Sequence, residues 1–317
     1  MTVISARTKR LFKWCCVGIG AVIVALSVVW FTPSLFVPIV MRIAYASLGV
    51  HQNSVDVHGH PWNYLESGSA ANRPMILLHG FGTSREAVMS MMPWFADTHH
   101  CVAPDLPGFG RHPFHEGEVH DADFLVRQVI AFADAVGATQ FDLLGTSMGG
   151  ALAVRLAATH PDRVHRMVLL APAGVRAARS NAFMERVNRG ENPLDIASEE
   201  DFERMIDLVF DRRPLMSWQF RAYLTQQAIA HRPNTLKIAE TLKPFLLNGL
   251  ENDLGRVKAP TLIVWGDRDR VTDISMLKVF LKGIPDSSGM TIHSAGHVVF
   301  HDQPDFTRRA IVPFLTP

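Results

Sequence analysis

Short apolar runs recur along the chain from residue 75 onward. Six runs have this character: residues 75–78, 101–103, 141–144, 167–170, 261–265 and 290–293. Runs without polar alternation are typical of strands covered on both faces, as in a parallel sheet. Because segments of helical periodicity separate them, such as 124–136 and 149–158, the pattern predicts an α/β fold. We expect a mostly parallel, twisted sheet with flanking helices.

The stretch from 174 to 258 has no clear strand run and shows helical spacing instead. Phe202, Met205 and Val209 fall at this spacing, and Ser198 ahead of them is a typical helix N-cap. The pattern predicts a helical insert between two strands, and we expect it to lie as a cap over the C-terminal edge of the sheet.

The N-terminus is apolar and uncharged from Trp14 to Met41, which is longer than the ~20 residues that a bilayer span requires. Four basic residues precede this run, and only Arg42 follows closely. The positive-inside rule then predicts a cytoplasmic N-terminus and places the rest of the chain on the periplasmic or extracellular side. We expect a single-pass N-terminal transmembrane helix. A cleaved signal peptide is the alternative, but the apolar run continues past a poor cleavage site near Ser27.

These patterns divide the chain of 317 residues into four parts. They are a cytoplasmic N-terminus with the anchor in 1–40, a first part of the core in 41–173, a helical cap in 174–258 and a second part of the core in 259–317. The net charge of +1, with no long basic stretch beyond the N-terminus, argues against a nucleic-acid-binding protein. No feature of the sequence predicts an oligomeric state.

Residues 145–149 read G-T-S-M-G and match the pattern G-x-S-x-G. They follow a strand run and precede a helical pattern, which is the context of a nucleophile elbow. Such a turn lifts the serine hydroxyl above the sheet, so the pattern predicts Ser147 as a catalytic nucleophile. A serine that caps a helix in a Gly-rich turn is the alternative interpretation.

A serine needs a base to accept its proton and an acid to orient that base, in the chain order Ser, Asp, His on this kind of fold. Asp267 and Asp269 both follow a predicted strand, and we predict Asp269 as the acid because it lies further along the loop. His297 follows the final strand run and a glycine, and we predict it as the base. His293 and His301 are the alternatives.

The negative oxygen formed during acyl transfer needs aligned N–H donors. We predict the backbone amides of Met148, directly after the nucleophile, and of Phe81, within the H-G-F-G sequence at 79–82. We expect His79 to be a hydrogen-bonded structural residue and residues 105–110 to form a structural turn. The chain has no phosphate-binding loop, dinucleotide fingerprint or zinc-binding motif, so we expect a reaction without cofactor or metal.

The motifs at residues 79–82, 105–110, 144–150, 265–269 and 296–297 together resemble the α/β-hydrolase superfamily, over residues 60 to the C-terminus. The sequence around the serine and the N-terminal anchor are similar to those of membrane-anchored monoacylglycerol lipases and related bacterial lipases. The resemblance implies hydrolysis of monoacylglycerols or other medium-chain esters by a Ser-His-Asp triad. The animal enzymes of this group face the cytosol, whereas the charge pattern here points the domain the other way.

Two other functions remain open at this point. Carbon–carbon bond hydrolases of ring-cleavage diketones use the same serine triad, and a non-catalytic binding protein could share the fold. The predicted anchor favours a lipid-like ester as substrate, because such molecules concentrate at a bilayer. A serine at the elbow argues against the dehalogenases and epoxide hydrolases of the superfamily, whose nucleophile is an aspartate.

Overall fold

The computed structural model describes residue 22 and residues 24–316, so the basic N-terminus and the first part of the predicted anchor lie outside the described residues. The described chain forms a sheet of eight strands in the order β1-β2-β4-β3-β5-β6-β7-β8. The strands are β1 His51–Val57, β2 His60–Ser67, β3 Arg73–Leu78, β4 His99–Pro104, β5 Phe141–Thr146, β6 Val164–Leu170, β7 Thr261–Gly266 and β8 Ser287–Ile292.

Strands β3 to β8 pair in parallel, as the uninterrupted apolar runs predicted. Side chains alternate between the two faces of a strand. In β5, Leu143 therefore joins the hydrophobic core on one face and Leu144 the core on the other. Both faces are covered, which explains why these strands show no polar alternation.

Strands β1 and β2, which no apolar run predicted, form an antiparallel hairpin at one edge of the sheet. Most side chains of β1 are exposed, so no apolar run marks the strand. The two-residue turn of the hairpin has positive φ at both His58 (55°) and Gly59 (86°). That conformation is typical of the tight turns that suit the twist of a hairpin.

The helices of the described chain lie on both faces of the sheet. They are α1 Val24–Phe31, α2 Pro33–Ser47, α3 Ala122–Ala135, α4 Met148–Thr159, α5 Ala182–Asn188, α6 Glu199–Val209, α7 Trp218–Asn248, α8 Ser275–Gly283, α9 Val299–Asp302 and α10 Pro304–Leu315. Two 3₁₀ segments, Arg85–Trp94 and Leu254–Arg256, complete the described elements.

The predicted helical insert is present as α5, α6 and α7, between β6 and β7. Ser198 is the N-cap of α6, as predicted, and its hydroxyl accepts a hydrogen bond of 3.1 Å from the amide of Asp201. This bond satisfies one of the free amides at the start of the helix. We call α5 to α7 the cap.

The expected single transmembrane helix is not supported. No single helix in the described part of the chain is long and apolar enough to cross a membrane, whereas α1 and α2 meet that criterion together, with a bend of 91° between them. Pro33 opens α2, where a residue without an N–H fits a new helix but cannot continue an old one. Helix α2 runs through the predicted boundary at residue 40 and packs against α7.

Candidate active site

Ser147 occupies a strained turn between β5 and α4, with φ 54° and ψ −116°. Residues other than glycine rarely adopt positive φ, and such strain is concentrated at functional sites. The turn is held by the amide of Ser147, which donates to the carbonyl of Leu170 at 3.0 Å. It also needs two glycines, since a Cβ at Gly145 would lie 2.3 Å from the Gly149 carbonyl oxygen and a Cβ at Gly149 would lie 2.4 Å from the Leu78 carbonyl oxygen. This is the geometry expected of a nucleophile elbow.

Asp269 and His297 are in contact at the same edge of the sheet. Oδ2 of Asp269 lies 2.9 Å from Nδ1 of His297, and the two side chains are 0% and 7% exposed. Oδ1 of Asp269 accepts the amides of Val271 (2.8 Å) and Thr272 (3.0 Å). The carboxylate is therefore fixed, and Nδ1 of His297 donates to it. This arrangement leaves Nε2 of the imidazole as the basic nitrogen.

The two carboxylates that competed for the acid role have different partners. Asp267 binds the exposed His293, with Oδ2 2.9 Å from Nδ1, and Oδ1 accepts the amide of Ser294 at 2.8 Å. Burial raises the pKa of Asp267, but the hydrogen bonds from His293 and from the loop amides outweigh it and lower the pKa overall. Asp267 therefore ties its own loop to the loop after β8, whereas Asp269 contacts His297.

Ser147 reaches the same edge because β5, β6 and β7 are neighbours. Thr146 pairs with Leu170, and Leu170 pairs in turn with Val264, near the C-terminal ends of all three strands. Within the described residues, the hydroxyl of Ser147 makes no hydrogen bond to His297. In the structure, Asp269 is thus bonded to His297, and Ser147 lies at the same C-terminal ends of the strands without a hydrogen bond to His297.

The two predicted oxyanion donors flank the serine. A Cβ at Gly80 would lie 3.5 Å from Cβ of Ser147, so the loop that contains Phe81 runs beside the elbow. Among residues 24–316, the backbone amides of Phe81 and Met148 donate to no protein acceptor. Met148 is also the first residue of α4, where the helix dipole favours negative charge. Two free N–H groups beside the serine suit a developing negative oxygen.

His79 is a buried structural residue, as predicted. Its Nε2 accepts the amide of Leu106 at 3.1 Å, and its Nδ1 lies 2.9 Å from the carbonyl oxygen of Gly80. Burial lowers the pKa of His79 and favours this neutral ring. In the turn that follows, the buried Asp105 accepts the amide of Arg85 at 2.9 Å and lies 3.4 Å from its guanidinium. These contacts fit the predicted structural turn.

Thr272 is a site residue that the sequence analysis missed. Its hydroxyl donates to Oδ2 of Asp269 at 2.8 Å and lies 3.3 Å from Nδ1 of His297. The only sequence signal is its position three residues after the acid, which is a weak one because Thr is common in loops.

A cavity of about 360 Å³ lies between residues 114–120 and α7. Phe114, His120, Lys237 and Ile238 line it, and none of the predicted catalytic residues does. In the described residues, no group of three His, Cys, Asp or Glu side chains is arranged to hold a metal ion.

Comparisons with known proteins agree with this architecture. The family described as the alpha/beta hydrolase fold matches residues 73–304. Lipase 1 of Psychrobacter immobilis is 29% identical over 77% of this chain and 77% of its own. Monoacylglycerol lipase ABHD6 of Rattus norvegicus is 28% identical over 89% of this chain and 87% of its own.

A solved structure described as a bacterial membrane phospholipase A superposes with a TM-score of 0.87. It is 32% identical and covers 96% of this chain and 98% of its own. Lipases and monoacylglycerol lipases thus align along most of the described core. The chain therefore belongs to the α/β-hydrolase family and is a carboxylic ester hydrolase.

Proposed function

We propose that this hydrolase cleaves monoacylglycerols or other medium-chain lipid esters through an acyl-enzyme on Ser147. The observation that carries the proposal is the 2.9 Å contact between Asp269 and His297, at the sheet edge where Ser147 occupies its strained turn. An oriented imidazole with a free basic nitrogen, beside an elbow serine, has the chemistry that acyl transfer requires.

In the proposed first half-reaction, Nε2 of His297 takes the hydroxyl proton of Ser147 while Oγ attacks the ester carbonyl carbon. The amides of Phe81 and Met148 donate to the resulting oxyanion. The intermediate collapses, the bond to the alcohol breaks, and His297 returns the proton to the leaving alcohol. Asp269 stabilises the imidazolium that exists between these two transfers.

In the second half-reaction, water replaces the alcohol. His297 takes a proton from the water as it attacks the acyl-enzyme carbonyl, and the same two amides bind the oxyanion again. Collapse breaks the bond to Oγ, releases the carboxylic acid and returns the proton to Ser147. Apart from the ester and water, the described side chains and amides supply every group that these steps use.

The substrate class is inferred from exposed apolar surface near the N-terminus and the cap. On α1, Leu26 and Phe31 are 65% and 70% exposed, and on the cap Leu215 and Trp218 are fully and half exposed. The two regions are adjacent, because the side-chain amide of Gln219 donates to the carbonyl of Trp30 at 3.4 Å. Exposed apolar surface of this kind is typical of membrane-associated proteins.

We therefore propose that the N-terminal region associates with a bilayer and holds the catalytic domain close to lipid esters. The basic residues that precede the apolar run favour a catalytic domain on the non-cytoplasmic side. The relatives named above include a membrane phospholipase and monoacylglycerol lipases, which supports a lipid substrate.

A panel of substrates tests this proposal. We expect nitrophenyl esters with acyl chains of six to twelve carbons and monoacylglycerols to be hydrolysed faster than acetyl esters. A faster reaction with a ring-cleavage diketone than with any ester would favour the carbon–carbon bond hydrolase instead. Ser147→Ala should abolish turnover, and Ser69→Ala, at an exposed loop serine, is the matched control that should retain it.

A further inference from the structure

The carboxylate of Asp302 binds three backbone amides from two distant parts of the chain. Oδ2 accepts the amides of Gly296 (2.7 Å) and Asp211 (2.9 Å), and Oδ1 accepts the amide of Arg212 (3.0 Å). The side chain of Asp302 is 0% exposed. Hydrogen bonds from amides to a buried carboxylate are among the stronger ones in proteins, so Asp302 holds both segments firmly.

The two segments are the loop that carries His297 and the residues that directly follow cap helix α6, which ends at Val209. The amide of His297 itself donates to the carbonyl of Val209, the last residue of α6, at 2.9 Å. No side chain would fit at Gly296, where a Cβ would lie 2.8 Å from the amide nitrogen of Asp211. The backbone of the predicted base is therefore packed directly onto the cap.

The loop that carries Asp269 is attached to the same end of α6. Nη1 of Arg268 lies 3.0 Å from Oδ2 of Asp211, and Nη1 of Arg270 donates to the carbonyl of Asp207 at 2.8 Å. Both arginines are about half exposed, so each contact is individually weaker than the buried ones. The loop that carries Asp269 and the loop that carries His297 are therefore both attached to the C-terminal end of α6.

Asp302 carries a negative charge in this position. Burial raises its pKa, but the nearby His301 imidazole, with Nδ1 3.8 Å from Oδ1, and the hydrogen bonds from the amides of Asp211, Gly296 and Arg212 outweigh burial and lower the pKa overall. An ionised acceptor suits an environment made of donors. An amide side chain in its place would present an NH₂ group to at least one backbone N–H.

We propose that Asp302 is a positioning residue, which couples the His297 imidazole to cap helix α6, so that a displacement of the cap displaces the base. This inference rests on the proposed role of His297. The Ser147 hydroxyl and His297 are not hydrogen-bonded in the structure, so the attachment of the His297 backbone to the cap sets how closely the imidazole approaches the serine. A misplacement of about 1 Å can lower a rate on the order of 10²-fold.

The first test compares Asp302→Asn with the wild-type full-length enzyme on nitrophenyl hexanoate. We expect kcat to fall on the order of 10²-fold, with KM changed by less than about 3-fold, because the variant misplaces a group used in the transition state. A residue that only stabilises the fold would leave kcat unchanged below the melting temperature.

Asp142→Asn is the matched control. Asp142 is also 0% exposed and contacts His99 (3.0 Å) and His165 (2.8 Å), but it lies near the start of β5, at the opposite edge of the sheet from Ser147. We expect this control to melt at a lower temperature and to retain kcat within about 2-fold, because its effect is on stability alone.

The coupling to the cap is tested by a double-mutant cycle with Asp211→Ala, which removes the partner of Arg268. If the two residues act through one attachment, the double variant loses less kcat than the product of the two single losses. Purely multiplicative losses would contradict the cap part of the proposal. If Asp302→Asn does not fold, Asp211→Ala alone should still lower kcat at unchanged KM, and a wild-type kcat would overturn the coupling.

Failure of this inference and failure of the proposed function give different results. A wild-type enzyme that hydrolyses no ester refutes the function. An active wild type together with an Asp302→Asn variant of equal kcat refutes the positioning role and leaves the function intact.

Discussion

The hydroxyl of Thr272 donates a 2.8 Å hydrogen bond to Oδ2 of Asp269, the oxygen that also contacts His297. With the two backbone amides on Oδ1, the carboxylate has four donors, and each of them restricts its rotation. An acid held in this way fixes the plane and the tautomer of the imidazole, which is what a base beside a serine requires.

Thr272→Val should therefore reduce kcat/KM about 10- to 100-fold, the equivalent of one lost hydrogen bond to a charged group. The valine keeps the shape of the side chain and removes only the donor. Thr272→Ser keeps the hydroxyl and is the control. Steady-state hydrolysis of a soluble ester measures both variants, and a valine variant as active as the serine variant would show that the hydroxyl does not matter.

Gly149→Ala should destabilise the fold, because a Cβ at this position would lie 2.4 Å from the carbonyl oxygen of Leu78. We expect a loss of about 1–3 kcal/mol in the free energy of unfolding, typical of an overpacked site. Gly255→Ala is the matched control, since nothing lies within 4 Å of its added Cβ. Denaturant unfolding of both variants checks this, and equal stabilities would argue against the close packing of the elbow on β3.

The fold should lose stability as the pH falls below 6.5. Burial lowers the pKa of His120 from its ordinary value of 6.5, so below that pH the unfolded chain binds a proton that the folded chain resists. This contribution is complete above pH 6.5 and is lost toward lower pH. His79 and His112 act in the same direction, because burial lowers their pKa values as well.

His120→Phe should reduce the drop in melting temperature between pH 7 and pH 5. Phenylalanine does not titrate, and it can keep the stacking on Phe114, whose ring centroid is 4.5 Å away. His58→Asn, at an exposed hairpin residue, is the control and should leave the drop unchanged. An identical pH dependence in all three proteins would contradict the assignment.

The exposed apolar residues of the cap should matter only for substrates in a bilayer. Replacing Leu215 and Trp218 by serine should lower hydrolysis of a monoacylglycerol in vesicles and leave hydrolysis of a soluble short-chain ester unchanged. Val119→Ser, at a residue that is 63% exposed on a core loop, is the control. Equal losses on both substrates would indicate damage to the fold instead of weaker contact with lipid.

Much of the core and the candidate site could be predicted from the sequence, because their signals are local. The parallel strands are buried on both faces and read as apolar runs, and the glycines around Ser147 are required by the close approach of backbone. Asp269 and His297 could be located because each directly follows a predicted strand, in the chain order Ser, Asp, His. Asp269 could be preferred over Asp267 only by its place in the loop, and the contact with His297 agrees with that choice.

The features that sequence reasoning missed depend on tertiary contacts. Strand β1 pairs at the edge of the sheet and is mostly exposed, so its sequence has no apolar run. The bend between α1 and α2 lies at Pro33, and the apolar run alone does not specify the angle between the two helices. Asp302 resembles any acidic residue near a helix end until the fold brings Asp211 and Gly296 against it.

The central claim is that Ser147 is the nucleophile activated by His297, and covalent labelling tests it most directly. An alkyl fluorophosphonate should add one phosphonyl group to the wild-type chain, and peptide mass spectrometry should locate it on Ser147. His297→Ala should react at least ~10²-fold more slowly, the contribution of a general base. A phosphonyl group on any other residue, or wild-type labelling rates in the His297→Ala variant, would contradict the account.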